Sequence, residues 1–317
     1  MPMKKLISII TPVFNEEENI EIYYSRISKV LEDLSKYYDF EIIFNDNCSN
    51  DKTFEKIEKL TKIDTRIRLY RFSKNYGYQK SIWFGYFQSF GDASLELDAD
   101  LQDPPELIAQ MLEKWEKGFK IVYGVRENRK DEMVLKYCRK FFYRLLRKSC
   151  DFDIPNDAGD FMLIDRDVIN QLKKLNLSDI YLRGIIFSFG YSRIGINYNR
   201  DARTKGYSKF KIFRLINFAK DAFVNSSVLP LKLASILGLA FMLISFLLAC
   251  FFIVDKFILD SNAPQGTTAI LLLVLISIAI NCLFIGIMGE YIGKIYKQVS
   301  GINFIPIVEK SIENNKK

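Results

Sequence analysis

The sequence predicts an α/β domain with a mainly parallel sheet, followed by two helices that span a membrane. Three observations lead to this prediction. Apolar runs typical of buried strands alternate with helically spaced apolar residues through the first part of the chain. Polar clusters follow these runs, at the strand ends where a parallel sheet binds its ligands. Most of the charge lies before Pro230, and two long runs without charge follow it.

Five apolar runs predict the strands of the sheet. They cover residues 6–12, 41–44, 67–72, 95–97 and 121–125. Apolar residues at helical spacing predict helices between them, over residues 20–34, 54–60, 82–90 and 107–115. Pro12 ends the first strand, and residues 15–19 supply a helix cap and an acidic first turn. Because strands alternate with helices, we expect βαβ units and a mainly parallel sheet.

Polar clusters fall where these strands end, at the edge of the sheet that binds ligands. They are Asn15–Glu16, Asp46–Asn47, Lys74–Asn75, Asp98–Asp100 and Arg126. A helix cap or a solvated turn explains any one cluster taken alone. Five clusters on one edge favour a ligand site over that alternative.

The most informative stretch covers residues 95–105. It begins as a strand and ends at Pro104–Pro105, a pair typical of the first turn of a helix. Asp98, Asp100 and Asp103 crowd the strand end between them. Carboxylates this close repel each other, and Mg²⁺ relieves such repulsion by binding one or two carboxylates together with substrate phosphates. The stretch therefore predicts a metal site for a nucleotide diphosphate, and an acidic turn before a capped helix is the alternative.

The composition of the 317-residue chain excludes several classes of site. It contains no histidine, which rules out histidine bases, Ser–His triads and histidine metal ligands. Its five cysteines are scattered, so neither a disulfide framework nor a zinc site is predicted. The net charge of +7 comes without a recognition motif, so we expect no nucleic-acid partner. We expect no signal peptide either, because the first apolar run is too short.

Two apolar runs near the C-terminus predict membrane-spanning helices. Residues 233–254 and 269–288 include 22 and 20 residues without a charge, which form about 33 and 30 Å of helix. A hydrocarbon core is about 30 Å thick. Both runs are apolar on every face, which argues against the alternative of a buried helix pair. Lysines flank their outer ends, so the positive-inside rule places both termini in the cytoplasm.

Two basic amphipathic segments, residues 136–148 and 210–224, precede these runs. They predict helices that lie on an anionic membrane surface, with ordinary surface helices as the alternative. Arg200 and Arg203 lie just before the second segment. Because phosphate binding favours arginine forks, we expect them to hold the phosphate of a lipid acceptor, and we assign Arg139 of the first segment the same role. Simple positive-inside charge is the alternative.

The motifs at the strand ends resemble those of the family 2 glycosyltransferases, which have the Rossmann-like GT-A fold. The marks are residues 11–16, 46–53, 98–103, 124–126, 158–161 and 289–293. Within that family the chain most resembles the polyprenyl-phosphate glycosyltransferases, including bactoprenol glucosyltransferases and, more distantly, dolichol-phosphate mannose synthases. It departs from them at Asn47–Cys48, where many members have Asp–Gly, and at Tyr78, where relatives often carry histidine.

The resemblance implies a role for each site residue. Asp98 and Asp100 hold Mg²⁺ or Mn²⁺, Gln102 lies beside the diphosphate and Asp46 contacts the base or ribose. The residues assigned to the nucleotide sugar are Pro12, Asn15, Glu16, Asp46, Lys74, Asp98 and Gln102. Those assigned to catalysis are Asp160, Asp100 and Arg126. Relatives also form homo-oligomers through this type of membrane hairpin.

The resulting hypothesis is inverting, metal-dependent transfer of a sugar to undecaprenyl or another polyprenyl phosphate, for modification of a cell-envelope glycan. Glucose from UDP-glucose is favoured by resemblance alone. An acceptor phosphate with a second pKa near 6 is largely deprotonated at neutral pH, so no strong base is needed. Asp160 then takes a residual proton, orients an arginine or completes the metal site, and the sequence leaves these three roles open.

Other functions are weighed against this hypothesis. A processive polysaccharide synthase shares the nucleotide half but usually shows a Gln-x-x-Arg-Trp motif and more spanning helices, which this chain lacks. A sugar-nucleotide-binding membrane scaffold without activity predicts that the acidic residues have decayed, whereas Asp98, Asp100 and Asp160 are present. A glycosyltransferase of the same fold with another acceptor is a further alternative.

The predicted domain organisation has four parts. They are a catalytic domain over residues 1–208, a juxtamembrane amphipathic helix over 209–228, two transmembrane helices within 229–290 and a cytoplasmic tail over 291–317. This organisation predicts a multi-pass membrane protein with its catalytic domain in the cytoplasm, and the resemblance implies that the membrane is the bacterial inner membrane.

Overall fold

The computed structural model describes residues 4–127, 158–175, 181–199, 231, 234, 236–241, 243–244, 246–247, 266–299 and 305–313. The strands are β1 (Lys5–Val13), β2 (Tyr38–Asp46), β3 (Ile67–Phe72), β4 (Ala93–Glu96), β5 (Ile121–Glu127), β6 (Ala158–Asp165), β7 (Arg193–Asn199) and β8 (Val308–Glu313). The helices are α1 (Ile20–Leu34), α2 (Thr53–Ile63), α3 (Tyr78–Gln88), α4 (Leu107–Glu116), α5 (Arg166–Lys174), α6 (Leu182–Ser188) and α7 (Thr267–Val299). Two predicted amphipathic segments, 136–148 and 209–228, lie outside the described residues. The same is true of Arg139, Arg200 and Arg203.

The described strands form one sheet in the order β7-β5-β6-β4-β1-β2-β3-β8. Neighbours from β4 to β3 run parallel, as do β5 and β7. β6 runs antiparallel to both β4 and β5, and β8 runs antiparallel to β3. The prediction of an α/β fold with a mainly parallel sheet is therefore confirmed, although the sequence analysis did not identify β6, β7 and β8.

Helices cover both faces of the sheet. Successive residues of a strand point to opposite faces, so an apolar strand presents apolar side chains on both faces, and both have to be covered. Ile9 on β1 packs into the apolar layer that contains α1, α2 and α4. Ile10, the next residue, packs into the layer that contains α3, α5 and α6. This arrangement buries the parallel strands on both sides, which is why they are nearly continuous apolar runs in the sequence.

Several local boundaries differ from the sequence prediction, and β1, for example, continues through Pro12 to Val13. α3 ends at Gln88, and Phe90 is 70% exposed rather than on the apolar face of the helix, because Ser89 is already extended on the way to β4. Pro104 and Pro105 lie in a turn that precedes α4, and their carbonyl oxygens accept hydrogen bonds from the N–H groups of Leu107 and Ile108. A proline disfavours helical backbone in the residue before it, so the helix begins later.

The chain divides into two compact units, Leu215–Ile302 and the remainder. Within the smaller unit, α7 spans 33 residues and contains the predicted run 269–288. Of the described helices, α7 is the one long and apolar enough to cross a membrane, over Ile276–Gly293. Residues 233–254 are described in part, and those positions are helical. The two-helix hairpin therefore stays a prediction.

The C-terminal residues return to the larger unit. β8 pairs with β3 along the edge of the sheet, and the hydroxyl of Tyr70 on β3 donates a hydrogen bond to Glu313 Oε1 at 2.7 Å. The sequence analysis placed only a tail over residues 291–317. The run Val-Glu-Lys-Ser-Ile-Glu is mostly polar and exposed, as suits an edge strand, and therefore lacks a strand signal.

Candidate active site

The topology gathers the polar clusters at one edge of the sheet. The carboxyl ends of the parallel strands β1 to β5 and β7 all meet there, and β6, which runs the other way, begins there. Asp46 ends β2, Asp98 follows β4, Arg126 lies near the end of β5 and Asp160 near the start of β6. The edge also receives Tyr198 from the end of β7.

An acidic group follows β4 at this edge. Asp100 and Asp103 are nearly buried, and Glu96 at the end of β4 is 1% exposed. The backbone N–H of Gln102 donates to Asp100 Oδ1 at 3.1 Å, which shapes the turn. Leu101 adopts a left-handed conformation (φ 57°) while its side chain is buried. A branched side chain tolerates this conformation only when its surroundings hold it, and such strain is common at functional sites.

Tyr78, the first residue of α3, links two of these carboxyl groups. Its hydroxyl lies 3.1 Å from both Glu96 Oε1 and Asp98 Oδ2. The Tyr78 hydroxyl is the donor toward both carboxyl groups, so it bridges the end of β4 to the residue that follows Leu97. Burial, together with the charge of Asp98, raises the pKa of Glu96 well above its ordinary value.

Burial and neighbouring carboxylates act together on Asp98. Removal from water is the largest cause that raises the pKa of Asp98 to about 7, and the charges of Asp100 and Asp103 add to it. The hydrogen bond from Tyr78 acts in the opposite direction. The carboxylates therefore repel one another at a position where a cation would stabilise them.

Arg126 is held in place by two side chains, Asp103 and Tyr198. Its Nη2 donates to Asp103 Oδ2 and its Nε to the hydroxyl oxygen of Tyr198, at 3.3 and 3.2 Å. The Tyr198 hydroxyl in turn donates to Asp103 Oδ1. Although burial opposes it, the Asp103 carboxylate raises the pKa of Arg126 above its ordinary value. Arg126 is therefore a fixed positive charge at the end of β5.

Asp160 is paired with an arginine that the sequence analysis did not single out. Arg183 of α6 donates from Nη2 to Asp160 Oδ2 at 3.1 Å and from Nε to Asp160 Oδ1 at 3.4 Å. The two side chains are 15% and 17% exposed. A carboxylate and a guanidinium in this two-point geometry form a strong, directional pair.

Asn15 and Glu16 join the loop after β1 to the loop after β2. The N–H of Asn15 donates to Ser49 Oγ, and Asn15 Oδ1 accepts from the N–H of Asn50. The N–H of Glu16 donates to Thr53 Oγ1. Asn15 is left-handed (φ 52°), a conformation that asparagine tolerates better than most residues. The structure thus brings both residues to the predicted edge, in contacts that shape the loops.

The other residues predicted to bind the nucleotide sugar differ in their surroundings. Asp46 is fully buried, and burial raises its pKa even though Ser49 N–H donates to its Oδ1 at 3.0 Å. Lys74 is exposed, with its Nζ 5.1 Å from the centre of the Tyr76 ring. Pro12 is buried within β1, and Gln102 is half-buried beside Asp100.

The residues at this edge fit a divalent cation that is shared with a ligand. Within the described ranges, no group of three or more acidic or cysteine side chains is arranged to hold a metal alone. Asp98 and Asp100 supply two carboxylates beside β4, and burial, with the charge of Asp100 added to it, raises the pKa of Asp98. Mg²⁺ is commonly bound by one or two carboxylates plus substrate phosphates, which matches this donor set.

Sequence reasoning missed several residues of this edge. Glu96 carried a signal, since a carboxyl group in a short apolar strand is unusual. Tyr78 was noted only as a departure from the expected histidine. Arg183 and Tyr198 carried no local signal, because they come from α6 and β7, which are distant in sequence from the acidic group.

Comparison with known proteins agrees with this architecture. Residues 8–173 match the model of the family described as glycosyl transferase family 2. The chain is 37% identical to an uncharacterized glycosyltransferase of Bacillus subtilis (strain 168), YkcC, over 98% of this chain and 95% of that protein. It is 33% identical to the SfII prophage-derived bactoprenol glucosyl transferase of Shigella flexneri, over 92% of this chain and 94% of that protein.

Among solved structures, the chain is similar to glucosyl-3-phosphoglycerate synthase from Mycobacterium tuberculosis in complex with phosphoglyceric acid. That similarity has a TM-score of 0.49 and 18% identity, over 69% of this chain and 78% of the other. Likeness at this level carries no conclusion about the ligands of this chain.

Proposed function

The chain belongs to glycosyl transferase family 2 and is a glycosyltransferase, and we propose that it transfers a sugar from a nucleotide diphosphate to polyprenyl phosphate. Relatives named bactoprenol glucosyl transferase align with 92% of the chain and support this acceptor. The same names support glucose as the sugar, and UDP-glucose is the donor we propose.

The observation that carries the proposal is the charge arrangement at the carboxyl edge of the sheet. Asp98 and Asp100 lie after β4, in the middle of the sheet order, with Asp46 on one side and the Arg126 and Arg183 pairs on the other. A site that holds a diphosphate and a second phosphate needs both a cation site and fixed positive charges. This edge supplies both.

Asp98 and Asp100 are the residues that would hold Mg²⁺ or Mn²⁺. The cation, when bound, neutralises negative charge on the leaving diphosphate. Tyr78 orients the Asp98 carboxyl through its hydroxyl contact of 3.1 Å. Asp103 and Tyr198 keep Arg126 in place, so that its charge is held beside the reacting phosphates without any rearrangement.

The proposed reaction is a single displacement. An oxygen of the acceptor phosphate attacks the anomeric carbon from the face opposite the diphosphate, so the bond to the diphosphate oxygen breaks with inversion. At neutral pH the acceptor phosphate is largely deprotonated, because its second pKa is near 6. The chain therefore has to orient the acceptor more than it has to remove a proton from it.

A lipid acceptor requires the active edge to reach a membrane. α7 supports a membrane attachment by its length and composition. We extend the proposal to a catalytic domain on the cytoplasmic face, with Arg139, Arg200 and Arg203 near the lipid phosphate and with assembly into a homo-oligomer.

Transfer of labelled sugar into lipid tests the proposed function. The purified chain in detergent is incubated with undecaprenyl phosphate, Mg²⁺ and one radiolabelled UDP- or GDP-sugar at a time, and the lipid extract is counted. We expect label in the lipid from UDP-glucose, and EDTA should abolish it. Asp100→Ala should lower the rate of transfer by about 100-fold or more, because the cation that neutralises the leaving diphosphate loses one of its carboxylates. Asp33→Ala, an exposed aspartate on α1, is the matched control and keeps wild-type activity.

Two outcomes contradict the proposal. Absence of labelled lipid from every donor, although calorimetry shows Mg²⁺-dependent binding of UDP, would indicate another acceptor. Undiminished transfer in EDTA and in Asp100→Ala would exclude the assigned cation site.

A further inference from the structure

The Asp160–Arg183 pair occupies a particular flank of the active edge. The sheet order places β6 and β5 on one side of β4, and β1, β2 and β3 on the other. Asp46, assigned to the nucleotide, lies on the second side, and the acidic pair Asp98 and Asp100 follows β4 between the two. Asp160 and Arg183 therefore lie on the flank that faces away from the proposed nucleotide position.

Arg183 reaches Asp160 from a firmly anchored helix. Leu182, Ile186 and Phe187 bury α6 against the sheet. The N–H of Leu182 donates to Gln79 Oε1 of α3 at 3.1 Å, which fixes the start of α6. The guanidinium of Arg183 is consequently held in place at its base by packing and at its tip by Asp160.

The contacts of Asp160 bear on its three open roles. Both carboxylate oxygens already accept hydrogen bonds from the Arg183 fork. These two contacts turn both oxygens toward Arg183, whereas a general base also has to aim an oxygen at the proton of its substrate, within about 2.6–3.2 Å. Asp160 therefore has the geometry of a group that orients an arginine.

We infer that Arg183 is a positioning residue of the acceptor site, and that the Asp160–Arg183 pair orients the acceptor phosphate rather than serving as a general base. The inference rests on the proposed function, because it names the part of that site that holds the acceptor. Arg126 lies close enough to Arg183 for their charges to repel, so two positive groups, each with its own aspartate, line this flank. An anion placed beside them offsets that repulsion.

Kinetics of single and double variants test the inference. We expect Arg183→Gln and Asp160→Asn each to lower kcat/KM for undecaprenyl phosphate by about 10- to 100-fold, as loss of a charge-assisted pair does. The affinity for UDP with Mg²⁺, measured by calorimetry, should change by less than about threefold. The kcat/KM of the double variant should be little lower than that of the less active single variant, because the two residues act as one unit.

The pH profile separates positioning from proton transfer. If the pair positions the acceptor, the acidic limb of the kcat/KM profile belongs to the acceptor phosphate and persists in Asp160→Asn. Arg183→Lys, which keeps the charge without the fork, should retain intermediate activity and shows that loss in Arg183→Gln is not due to misfolding. Arg193→Gln is the control, and transfer should be unchanged. The Arg193 guanidinium lies 5.3 Å from the centre of the Phe187 ring of α6, but Arg193 begins β7, at the end of the strands opposite the active edge.

Three results would overturn the inference while leaving the proposed function intact. They are transfer within threefold of wild type in Arg183→Gln, loss of UDP affinity as large as the loss of kcat/KM, and a residual activity of Asp160→Asn whose pH profile no longer has the acidic limb. Absence of labelled lipid with the wild-type chain is a different result, because the proposed function itself then fails.

Discussion

At the scale of single residues, Gly124 shows how a missing side chain shapes the active edge. A Cβ at this position would lie 2.6 Å from Cε1 of Tyr198 and 3.0 Å from Cδ1 of Phe161. The Tyr198 ring cannot move aside easily, since its hydroxyl contacts both Asp103 and Arg126. Glycine at residue 124 therefore allows β7 to bring its tyrosine to the acidic group.

Gly124→Ala should destabilise the protein and weaken transfer together. Steric overlap with the Tyr198 ring should lower the free energy of unfolding by about 1–3 kcal/mol, and displacement of Tyr198 should release Arg126 and lower kcat. Urea unfolding followed by circular dichroism in detergent measures the first effect. Gly159→Ala is the graded comparison, because its Cβ would lie 3.2 Å from Nη2 of Arg126, a milder overlap than at Gly124, and should cost less stability. Equal stability of Gly124→Ala and wild type would contradict this packing argument.

At the scale of elements, Asp165 joins three parts of the fold. It caps α5 by accepting from the N–H of Asp167 at 2.9 Å. It also accepts from Trp115 Nε1 of α4 at 2.7 Å and from Lys120 Nζ, just before β5, at 2.9 Å. Burial opposes the charge of Asp165, but these three donors outweigh it, and the pKa of Asp165 lies below its ordinary value.

Asp165→Ala should lower the free energy of unfolding by about 2–3 kcal/mol at pH 7, through loss of the cap and of two side-chain hydrogen bonds. Because the pKa of Asp165 is lowered in the folded state, its contribution is complete above the unfolded pKa of about 3.9 and disappears as the pH falls below it. The difference between variant and wild type should therefore shrink in acid, as urea unfolding at pH 7 and pH 3 measures. Asp167→Ala, an exposed partner of the same lysine, should cost less than about 1 kcal/mol. A difference that grows in acid would contradict the sign.

At the scale of the whole molecule, β8 connects the end of the described chain to the centre of the sheet. Glu313 accepts from Tyr70, and the Tyr70 hydroxyl lies beside Arg68. Arg68 pairs with the buried Glu41 of β2 at 2.9 Å. Charges this deeply buried are stable only while they stay paired, so the C-terminal strand supports a network that extends into the core.

Removal of residues 306–317 should lower the melting temperature of the larger unit by about 5–10 °C, since β3 becomes an open edge and the Tyr70 hydroxyl loses its carboxylate partner. The truncated chain should also aggregate more readily on heating, which light scattering measures. Lys310→Ala, which removes an exposed pair with Glu58 and a contact with the Phe54 ring but leaves β8 in place, is the control and should melt like wild type. An unchanged melting temperature after truncation would show that β8 adds no stability.

Much of the fold was predictable because its signals are local. The apolar runs and the helical spacing of residues 20–34 identify β1, α1 and the repeating βαβ units without any tertiary contact. The acidic residues after β4 were predictable as a site for the same reason, since their crowding is visible in eleven consecutive residues. Edge strands such as β8 are polar on most positions and carry no comparable signal.

The α/β class, the edge of the sheet with the polar clusters and the acidic pair Asp98 and Asp100 are all predictable from the order of the residues. Which charges pair at that edge depends on the folded chain: Arg126 pairs with Asp103, and Arg183 pairs with Asp160. Periodicity and turn residues indicate only the local conformation of the backbone. The pairing of side chains that are far apart in sequence depends instead on the order of the strands and on the position of the antiparallel strand β6. That order is set by how the whole sheet buries its two faces, a property no short segment contains.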